Sequence, residues 1–271
     1  MDPRAFELFE RLERTHWWFR GRREVYLGLL RELLAGGRPA RLLDVGAGVG
    51  GFLGELSLLA AEVHYSDAEP AAVARCARRG FARGVAASAD ALPYAAESFD
   101  LVCLFDVLEH VEDDRRALRE VRRVLSHGGL AMLSVPAHPI LYGNNDVVAG
   151  HQRRYTRASL RAVLCAAGLR VERVTYSNAF LFPAIAPTVL LMKLLERTAL
   201  VPADSRHTNL SLPLPRAVHA LLYRVFASEL TLSRRVDLPF GHSLLAVARR
   251  LELAPLDATP APAFVADVLP V

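Results

Sequence analysis

The stretch Leu42-Leu43-Asp44-Val45-Gly46-Ala47-Gly48-Val49-Gly50-Gly51 concentrates residues able to hold a ligand. An apolar run breaks into glycines, and Phe52-Leu53-Gly54-Glu55-Leu56 then begins a helical pattern. Strand, tight turn and helix in that order open a nucleotide-binding βαβ unit. Glycine at 46, 48 and 50 lets the backbone turn sharply and approach a ligand, since no Cβ stands in the way. Gly46, Gly48 and Gly51 also satisfy the dinucleotide spacing Gly-x-Gly-x-x-Gly. Asp44 tilts the choice, because a carboxylate at a strand end beside the turn suits a cationic ligand better than a pyrophosphate.

More polar side chains follow at strand ends. Asp67 closes the run Glu62-Val63-His64-Tyr65-Ser66-Asp67, about 20 residues past the glycines, where a carboxylate accepts both hydroxyls of a ribose. Glu69 competes for that role. A short third strand near 84–87 leads into Ser88-Ala89-Asp90-Ala91-Leu92-Pro93-Tyr94. Residues 98–105 are almost continuously apolar, as a central parallel strand buried on both faces must be. They end at Asp106-Val107-Leu108-Glu109-His110, which should line the cleft, because ligands of open α/β sheets sit beyond the carboxyl ends of strands.

The long loop after the fifth strand carries His151-Gln152-Arg153-Arg154-Tyr155. Histidine is the usual base near neutral pH, which makes His151 a candidate and His110 its rival. Arginine grips carboxylate or phosphate through a planar fork, so an anionic acceptor fits beside Arg153 and Arg154. The competing reading has these residues pinning the loop to the helix at 156–168.

The elements that must position these groups alternate strand and helix. Phe6, Phe9 and Leu12 have helical spacing, and His16-Trp17-Trp18-Phe19-Arg20-Gly21-Arg22-Arg23 follows, holding both tryptophans of the chain. Such aromatics pack a leading helix on the sheet, or they cover a ligand while an arginine faces a carboxylate. Helices are expected at 70–79 and 113–125, a turn at His127-Gly128-Gly129, and a fifth strand at 130–135 ending at Pro136. The alternation in 169–176 reads as a half-buried strand, and 243–249 is the later run suited to pair with it. Residues 178–240 are then an insertion, with an apolar segment at 179–192 interrupted by Pro183 and Pro187 and a second helix around 217–232. The segment at 179–192 is too short and too broken to span a bilayer. Phe180, Leu181, Phe182 and Ile185, followed by Lys193 and Arg197, suit a core helix, a lipid-interface segment or an oligomer contact.

Bulk properties narrow the class. A net charge of +4 and a pI near 9.2 come from arginines interleaved with acidic residues, which describes a solvated surface and no nucleic-acid partner. Cys76, Cys103 and Cys165 show neither a disulfide framework nor zinc spacing, which suits a reducing cytosol. Met1-Asp2-Pro3-Arg4 leads into a charged helix with no apolar leader, so a cytoplasmic location is expected, with peripheral contact at the inner membrane face through 178–240 as an extension.

Asp-x-Gly-x-Gly-x-Gly at 44–50 resembles the first motif of class I S-adenosylmethionine-dependent methyltransferases, of the type 11, ubiquinone-biosynthesis-like kind. S-adenosylmethionine carries an ammonium where a dinucleotide carries pyrophosphate. The His-Trp-Trp-Phe-x-x-Arg-Arg run is similar to one in a bacterial subgroup of these enzymes. The resemblance implies an α/β fold with a Rossmann-like seven-stranded sheet in the order 3-2-1-4-5-7-6. It implies S-adenosylmethionine as cofactor and S-adenosylhomocysteine as product, held by Asp44, Gly46, Ala47, Gly48 and Gly50. Asp67 and Ala68 would meet the ribose, Asp90 and the Ala91 N–H the adenine, and Phe105 and Asp106 the methionine moiety. Asp-x-x-Glu-His at 106–110 also resembles a divalent-metal site of quinone-ring O-methyltransferases, but many relatives with that spelling need no metal, and none is assigned. The expected organisation is a helical cap at 1–37, a methyltransferase domain at 38–177 and 241–253, a substrate-capping insertion at 178–240 and a flexible tail at 254–271. Methyl transfer to an O, N or C atom of a small or lipid-like acceptor is the expected function, with oligomeric state open. A nicotinamide oxidoreductase, an aminopropyl transferase and a non-catalytic binding protein are the alternatives.

Overall fold

The computed structural model describes residues 10–197 and 214–251. Expectations for 1–9, 198–213 and the tail at 254–271 fall outside that range. Seven strands are β1 (Arg41–Val45), β2 (Glu62–Asp67), β3 (Gly84–Ala86), β4 (Phe99–Phe105), β5 (Leu125–Pro136), β6 (Leu169–Ser177) and β7 (Ser243–Arg250). They form one sheet in the order β3-β2-β1-β4-β5-β7-β6, as expected. Pairing is parallel from β3 through β5, and β7 runs antiparallel to both β5 and β6.

Helices begin with α1 (residues 10–15) and α2 (Trp17–Leu34), then α3 (Leu53–Leu59), α4 (Pro70–Arg78), α5 (Asp114–Val124), α6 (Asn144–Ala149) and α7 (Arg157–Ala166). Two more, α8 (Phe182–Arg197) and α9 (Arg216–Ser233), lie between β6 and β7. Among the described residues no helix is long and apolar enough to cross a membrane.

Successive side chains of a strand point to opposite faces, and the core follows that rule. Leu43, Val45, Leu104 and Val135 join Leu118 and Val121 of α5 and Leu160 and Leu164 of α7 on one face. Leu42, Leu101, Cys103 and Met132 join Leu30 of α2, Leu56 of α3 and Phe226 of α9 on the other. Each fully buried Leu or Phe contributes about 1.5–3 kcal/mol relative to exposure, so both faces need a helical cover.

The cover from α2 and α9 is unusually close. A Cβ added at Gly21 would lie 2.3 Å from Phe226 Cδ1, and one at Gly28 2.4 Å from Leu230 Cδ2. Trp17 packs edge-on to Phe226 at 6.4 Å, and Trp17 N donates to His219 Nδ1 at 3.3 Å. The glycines, seven residues apart on one helix face, let the two backbones approach.

One expected turn is absent. His127-Gly128-Gly129 lies inside β5, because pairing with β4 stands at Phe99↔Leu125 and resumes at Leu101↔Leu130. The extra residues form an irregularity that Gly128 makes possible with φ +75. Ser126 Oγ adds a bond to Asp100 Oδ1 at 3.2 Å, tying this stretch back to the neighbouring strand.

Candidate functional site

Gly46, Asp67, Asp106 and Ala137 all stand at the carboxyl ends of parallel strands, on one edge of the sheet. The glycine turn itself has φ +72 at Gly46, +56 at Gly48 and +80 at Gly50. At Gly48 an added Cβ would find nothing within 4 Å, so the turn opens outward there; at Gly46 it would strike Val107 Cγ2 at 2.5 Å. Gly46 N and Ala47 N donate to Ser66 O at 2.8 and 3.0 Å. Gly48 N donates to Asp67 Oδ2 at 2.8 Å, and Glu69 N to Asp67 Oδ1 at 2.8 Å. Of the two acidic candidates, Asp67 is the one bonded to the turn, while Glu69 stands at the N-cap of α4. Ala68 between them is exposed.

Asp44 is 3% exposed. Burial pushes its carboxyl up to about 8, with Glu13 and Asp67 adding to the effect and Arg22 opposing it. A crowd of acids around a buried carboxyl is a site that a ligand cation would relieve. The residues present therefore fit a cationic ligand over an open glycine turn.

Arg22 of α2 reaches into this region. It pairs with Asp106, lies 3.9 Å from Glu13 and sits over the rings of Trp18 (4.6 Å), Phe19 (4.9 Å) and Phe52 (5.3 Å). Its Nε is buried without a partner. Asp106 is held with φ +58, its Oδ1 accepting from Ser134 Oγ at 2.8 Å. Trp17 packs on α9, as the packing reading requires, while Trp18 and Phe19 lie against an arginine that faces the protein's own Asp106.

The remaining ligand-site expectations are placed as follows. Asp90 lies near Arg116, whose Nε donates to Asp90 O at 3.1 Å and stands 3.8 Å from Oδ2. Ala91 N donates to Ser88 O at 3.1 Å, closing the loop. The Phe105 ring packs inward on Phe52 (4.5 Å) and Tyr26 (5.5 Å).

The two histidines named as base candidates meet. His110 and His151 have ring centroids 4.7 Å apart at 80°. His151 Nδ1 is 2.7 Å from Asp146 Oδ1, which also accepts from Arg154 Nε at 2.8 Å, while Asp146 Oδ2 accepts from Gly143 N at 2.9 Å. Burial raises the Asp146 carboxyl, but the bonds from His151 and Arg154 prevail and hold it at about 2. His110 is lowered by burial and then by His151. Arg153 Nη1 lies 3.2 Å from Asp114 and its Nη2 donates to Glu112 O at 2.8 Å; Tyr155 Oη donates to Asp114 at 2.8 Å. The arginines and the tyrosine thus pin the loop, and the structure does not present them as an anion cradle.

Ligand atoms of Glu109, His110 and His151 lie within 4.8 Å of one another and could hold a divalent cation. Glu109 is fully buried, neither carboxyl oxygen has a partner, and burial raises its pKa well above the ordinary value. The sequence spelling had grouped Asp106 with Glu109 and His110, but Asp106 turns to Arg22 and Ser134, and His151 takes its place. Residue 146, unnoticed in the sequence, joins the site because an Asp in a loop carries no signal until its neighbours are known.

On the far side, His138 stacks between Tyr176 (5.3 Å) and Phe182 (4.9 Å), and Phe182 lies 6.2 Å from Phe240. The start of α8 therefore sits over the loop that follows β5. Its hinge is held by Glu229 of α9, fully buried, which accepts from Asn178 N and Ala179 N at 2.7 Å each.

A family model described as a methyltransferase domain matches residues 43–133. An uncharacterized methyltransferase of Mycolicibacterium gilvum (strain PYR-GCK) is 34% identical over 173 residues, covering 55% of this chain and 67% of that protein. A ubiquinone biosynthesis O-methyltransferase of Cereibacter sphaeroides (strain KD131 / KCTC 12085) is 39% identical over 100 residues, 35% of this chain and 40% of its own. The chain thus spans about two thirds of the first relative and two fifths of the second. Among solved structures, the N-methyltransferase NodS of Bradyrhizobium japonicum WM9 in complex with S-adenosyl-L-homocysteine superposes with TM-score 0.54 at 18% identity, covering 89% of this chain and 91% of that one.

Proposed function

The chain belongs to the class I S-adenosylmethionine-dependent methyltransferases, and from that premise we propose that it methylates an oxygen, nitrogen or carbon of a small or lipid-like acceptor, with His151 taking the acceptor's proton. S-adenosylmethionine supplies a methyl group on a sulfonium that leaves readily, so the chain's work is alignment and exclusion of water. In this reading Gly46, Ala47, Gly48 and Gly50 pass under the cofactor, with Asp44 facing its ammonium. Asp67 and Ala68 meet the ribose and Asp90 and Ala91 the adenine. Phe105 acts through its backbone. The Arg22 guanidinium, whose buried Nε lacks a partner, takes the cofactor's carboxylate beside Asp106.

The observation that carries the choice of base is the position of His151, whose ring comes to 4.7 Å from His110 just beyond the carboxyl end of β4. A positioned base contributes about 10²–10⁴ in rate. An acceptor is identified by mass spectrometry of ligand co-purified with the protein, and turnover is followed with labelled S-adenosylmethionine. His151→Ala is expected to lose about 10²–10⁴ of that turnover with S-adenosylhomocysteine affinity unchanged. Full turnover in the variant removes His151 from the role and leaves His110.

The apolar character of the acceptor is argued from α8. Leu190, Leu191, Met192 and Leu194 are exposed on it, as are Phe180, Phe240 and Ile140 nearby. Lys193 Nζ donates to Ile140 O at 2.7 Å, joining α8 to the loop after β5. These side chains suit a roof over an apolar acceptor at a cytoplasmic membrane face. Flotation with anionic vesicles, comparing wild type with Phe180→Ser/Phe182→Ser, tests the membrane version, which fails if the wild type does not float.

A second reading follows from the Glu109, His110 and His151 grouping, where a divalent cation would act as a Lewis acid on an acceptor hydroxyl. Calorimetric titration of chelator-treated protein with Mg²⁺, Mn²⁺ and Zn²⁺, against Glu109→Gln, decides it.

A further inference from the structure

We propose that Asp146 is the positioning residue of a His–Asp dyad, holding His151 with its proton on Nδ1 so that Nε2 is free to accept the proton of the methyl acceptor. This rests on the reading of His151 as the base and adds to it the group that prepares it. The bond concerned is His151 Nδ1 to Asp146 Oδ1 at 2.7 Å, with Asp146 1% exposed. The ring nitrogen that carries the proton is set by the bond the other nitrogen, or the same one, can make. A carboxylate has no hydrogen to give, so Nδ1 must be the donor.

Three local features make this arrangement a fixed one. Asp146 sits at the third position of α6, where its Oδ2 accepts from Gly143 N at 2.9 Å, so the carboxylate is bonded at an oxygen other than the one that faces His151. Gly150 turns the chain back with φ +78, a conformation glycine adopts freely, and His151 N then donates to Asp146 O at 2.8 Å. From the other side Tyr142 Oη donates to His151 O at 2.7 Å. Arg154, with its side chain 6% exposed, donates Nε to the same Oδ1 at 2.8 Å and supplies the countercharge that keeps Asp146 ionised. If the loop needed only a brace, Arg154 and the backbone bonds would provide it. The imidazole is half-buried and faces His110, not solvent alone.

The step this prepares moves one proton. The acceptor's O–H or N–H proton passes to His151 Nε2 as the new bond to the methyl carbon forms. The carbon–sulfur bond breaks with its electron pair left on sulfur, giving S-adenosylhomocysteine. The resulting imidazolium keeps Nδ1–H on the Asp146 carboxylate, so the positive charge is met without any side chain moving.

The test reads the tautomer directly and needs no acceptor. Protein labelled with ¹⁵N-histidine is examined by long-range ¹H–¹⁵N correlation at a pH where His151 is neutral, with the signal assigned by its loss in His151→Gln. Wild type is expected to show the Nδ1–H form, and Asp146→Asn to shift His151 to the Nε2–H form or a mixture. An Nε2–H wild type overturns the proposal even if Asp146→Asn fails to fold. An unchanged tautomer in a folded Asp146→Asn also overturns it and makes Asp146 a brace. Turnover on the identified acceptor then separates the two readings. With the dyad real, Asp146→Asn lowers kcat by about 10²–10⁴ at little cost in KM. A shifted tautomer with undiminished turnover in both Asp146→Asn and His151→Ala leaves the geometry standing but ends its catalytic role.

Discussion

Arg22 and Asp106, 84 positions apart in sequence, form an ion pair that joins the leading helix to the carboxyl end of the central strand. Three aromatic rings surround the guanidinium, and its Nε faces inward without a partner. A ligand carboxylate bound there would meet a fork already held in place. Arg22→Ala is expected to weaken S-adenosylhomocysteine binding by about 1.5–3 kcal/mol, the range for a hydrogen bond to a charged group. Arg22→Lys keeps the charge but loses the planar fork and should fall between. Calorimetry that returns wild-type affinity for both variants would confine Arg22 to docking the helix.

Asp67 braces the glycine turn, and the proposed ribose contact would be a second role for the same carboxylate. Its carboxylate receives Gly48 N and Glu69 N and is aimed over the turn. Under the proposed placement the ribose hydroxyls would lose a charged acceptor in Asp67→Ala, and S-adenosylhomocysteine affinity should fall by about 1.5–3 kcal/mol. Equal affinity in calorimetry would remove the ribose assignment, and preferential binding of NAD would contradict the cofactor.

With Asp44 placed against the cofactor ammonium as proposed, binding is expected to depend on pH. Burial pushes its carboxyl up to about 8, so below that value it is largely protonated and would meet the ammonium without charge. Affinity for S-adenosylhomocysteine should therefore rise as pH goes from 6 to 8.5, by at most about tenfold per unit, and the rise should vanish in Asp44→Asn. The sign reverses for the unliganded fold. A carboxyl raised above its unfolded value favours the folded state while protonated, so thermal stability without ligand should fall as pH climbs between about 4 and 8.

The helix pair offers a graded comparison. At Gly21 an added Cβ would approach Phe226 Cδ1, Cγ and Cβ within 2.9 Å, and Phe226 is fully buried. Gly21→Ala should cost about 1–3 kcal/mol through overpacking. At Gly28 the close atoms are the δ carbons of Leu230, which can rotate away. Gly28→Ala recovers up to about 1 kcal/mol of helix propensity and should come out milder. Urea denaturation of the two variants measures the difference, and equal losses would mean that the helices separate as rigid rods.

Much of this arrangement was legible in the sequence because periodicity and turn chemistry are local. The glycine turn, Asp67 at a strand end and the buried run at 98–105 each carry their signal within a few residues. What was not legible depends on partners far along the chain. Gly21 and Gly28 look like weak points in a helix until α9 lies against them. His127-Gly128-Gly129 spells a turn, and only the register with β4 shows that the ladder continues past it. Arg153 and Arg154 read equally as ligand donors or as loop pins until Asp114 and Asp146 are placed. Asp146 gave no signal, since the motif containing His151 begins after it.

Glu229 bears on stability in the same way. Its carboxylate closes two backbone N–H groups at the hinge of α8, and Glu229→Ala would leave both buried and unpaired. A loss of about 1–3 kcal/mol in thermal or urea melts is expected.

Because α2 is completed against α9, the order of synthesis matters. Trp17 finds its His219 partner 202 residues later, and Phe226 enters the cleft beside Gly21 later still. On the ribosome, the central strands can assemble while the leading helix waits with its apolar face uncovered. The partners of Arg22, among them Glu13, Phe52 and Asp106, are all synthesised early, but Gly21 and Gly28 have no facing helix until the last quarter of the chain has emerged. A nascent chain stopped before α9 also lacks β7, so it should hold at most the parallel strands β1 to β5, with β6 unpaired and the apolar face of α2 open to holdase chaperones.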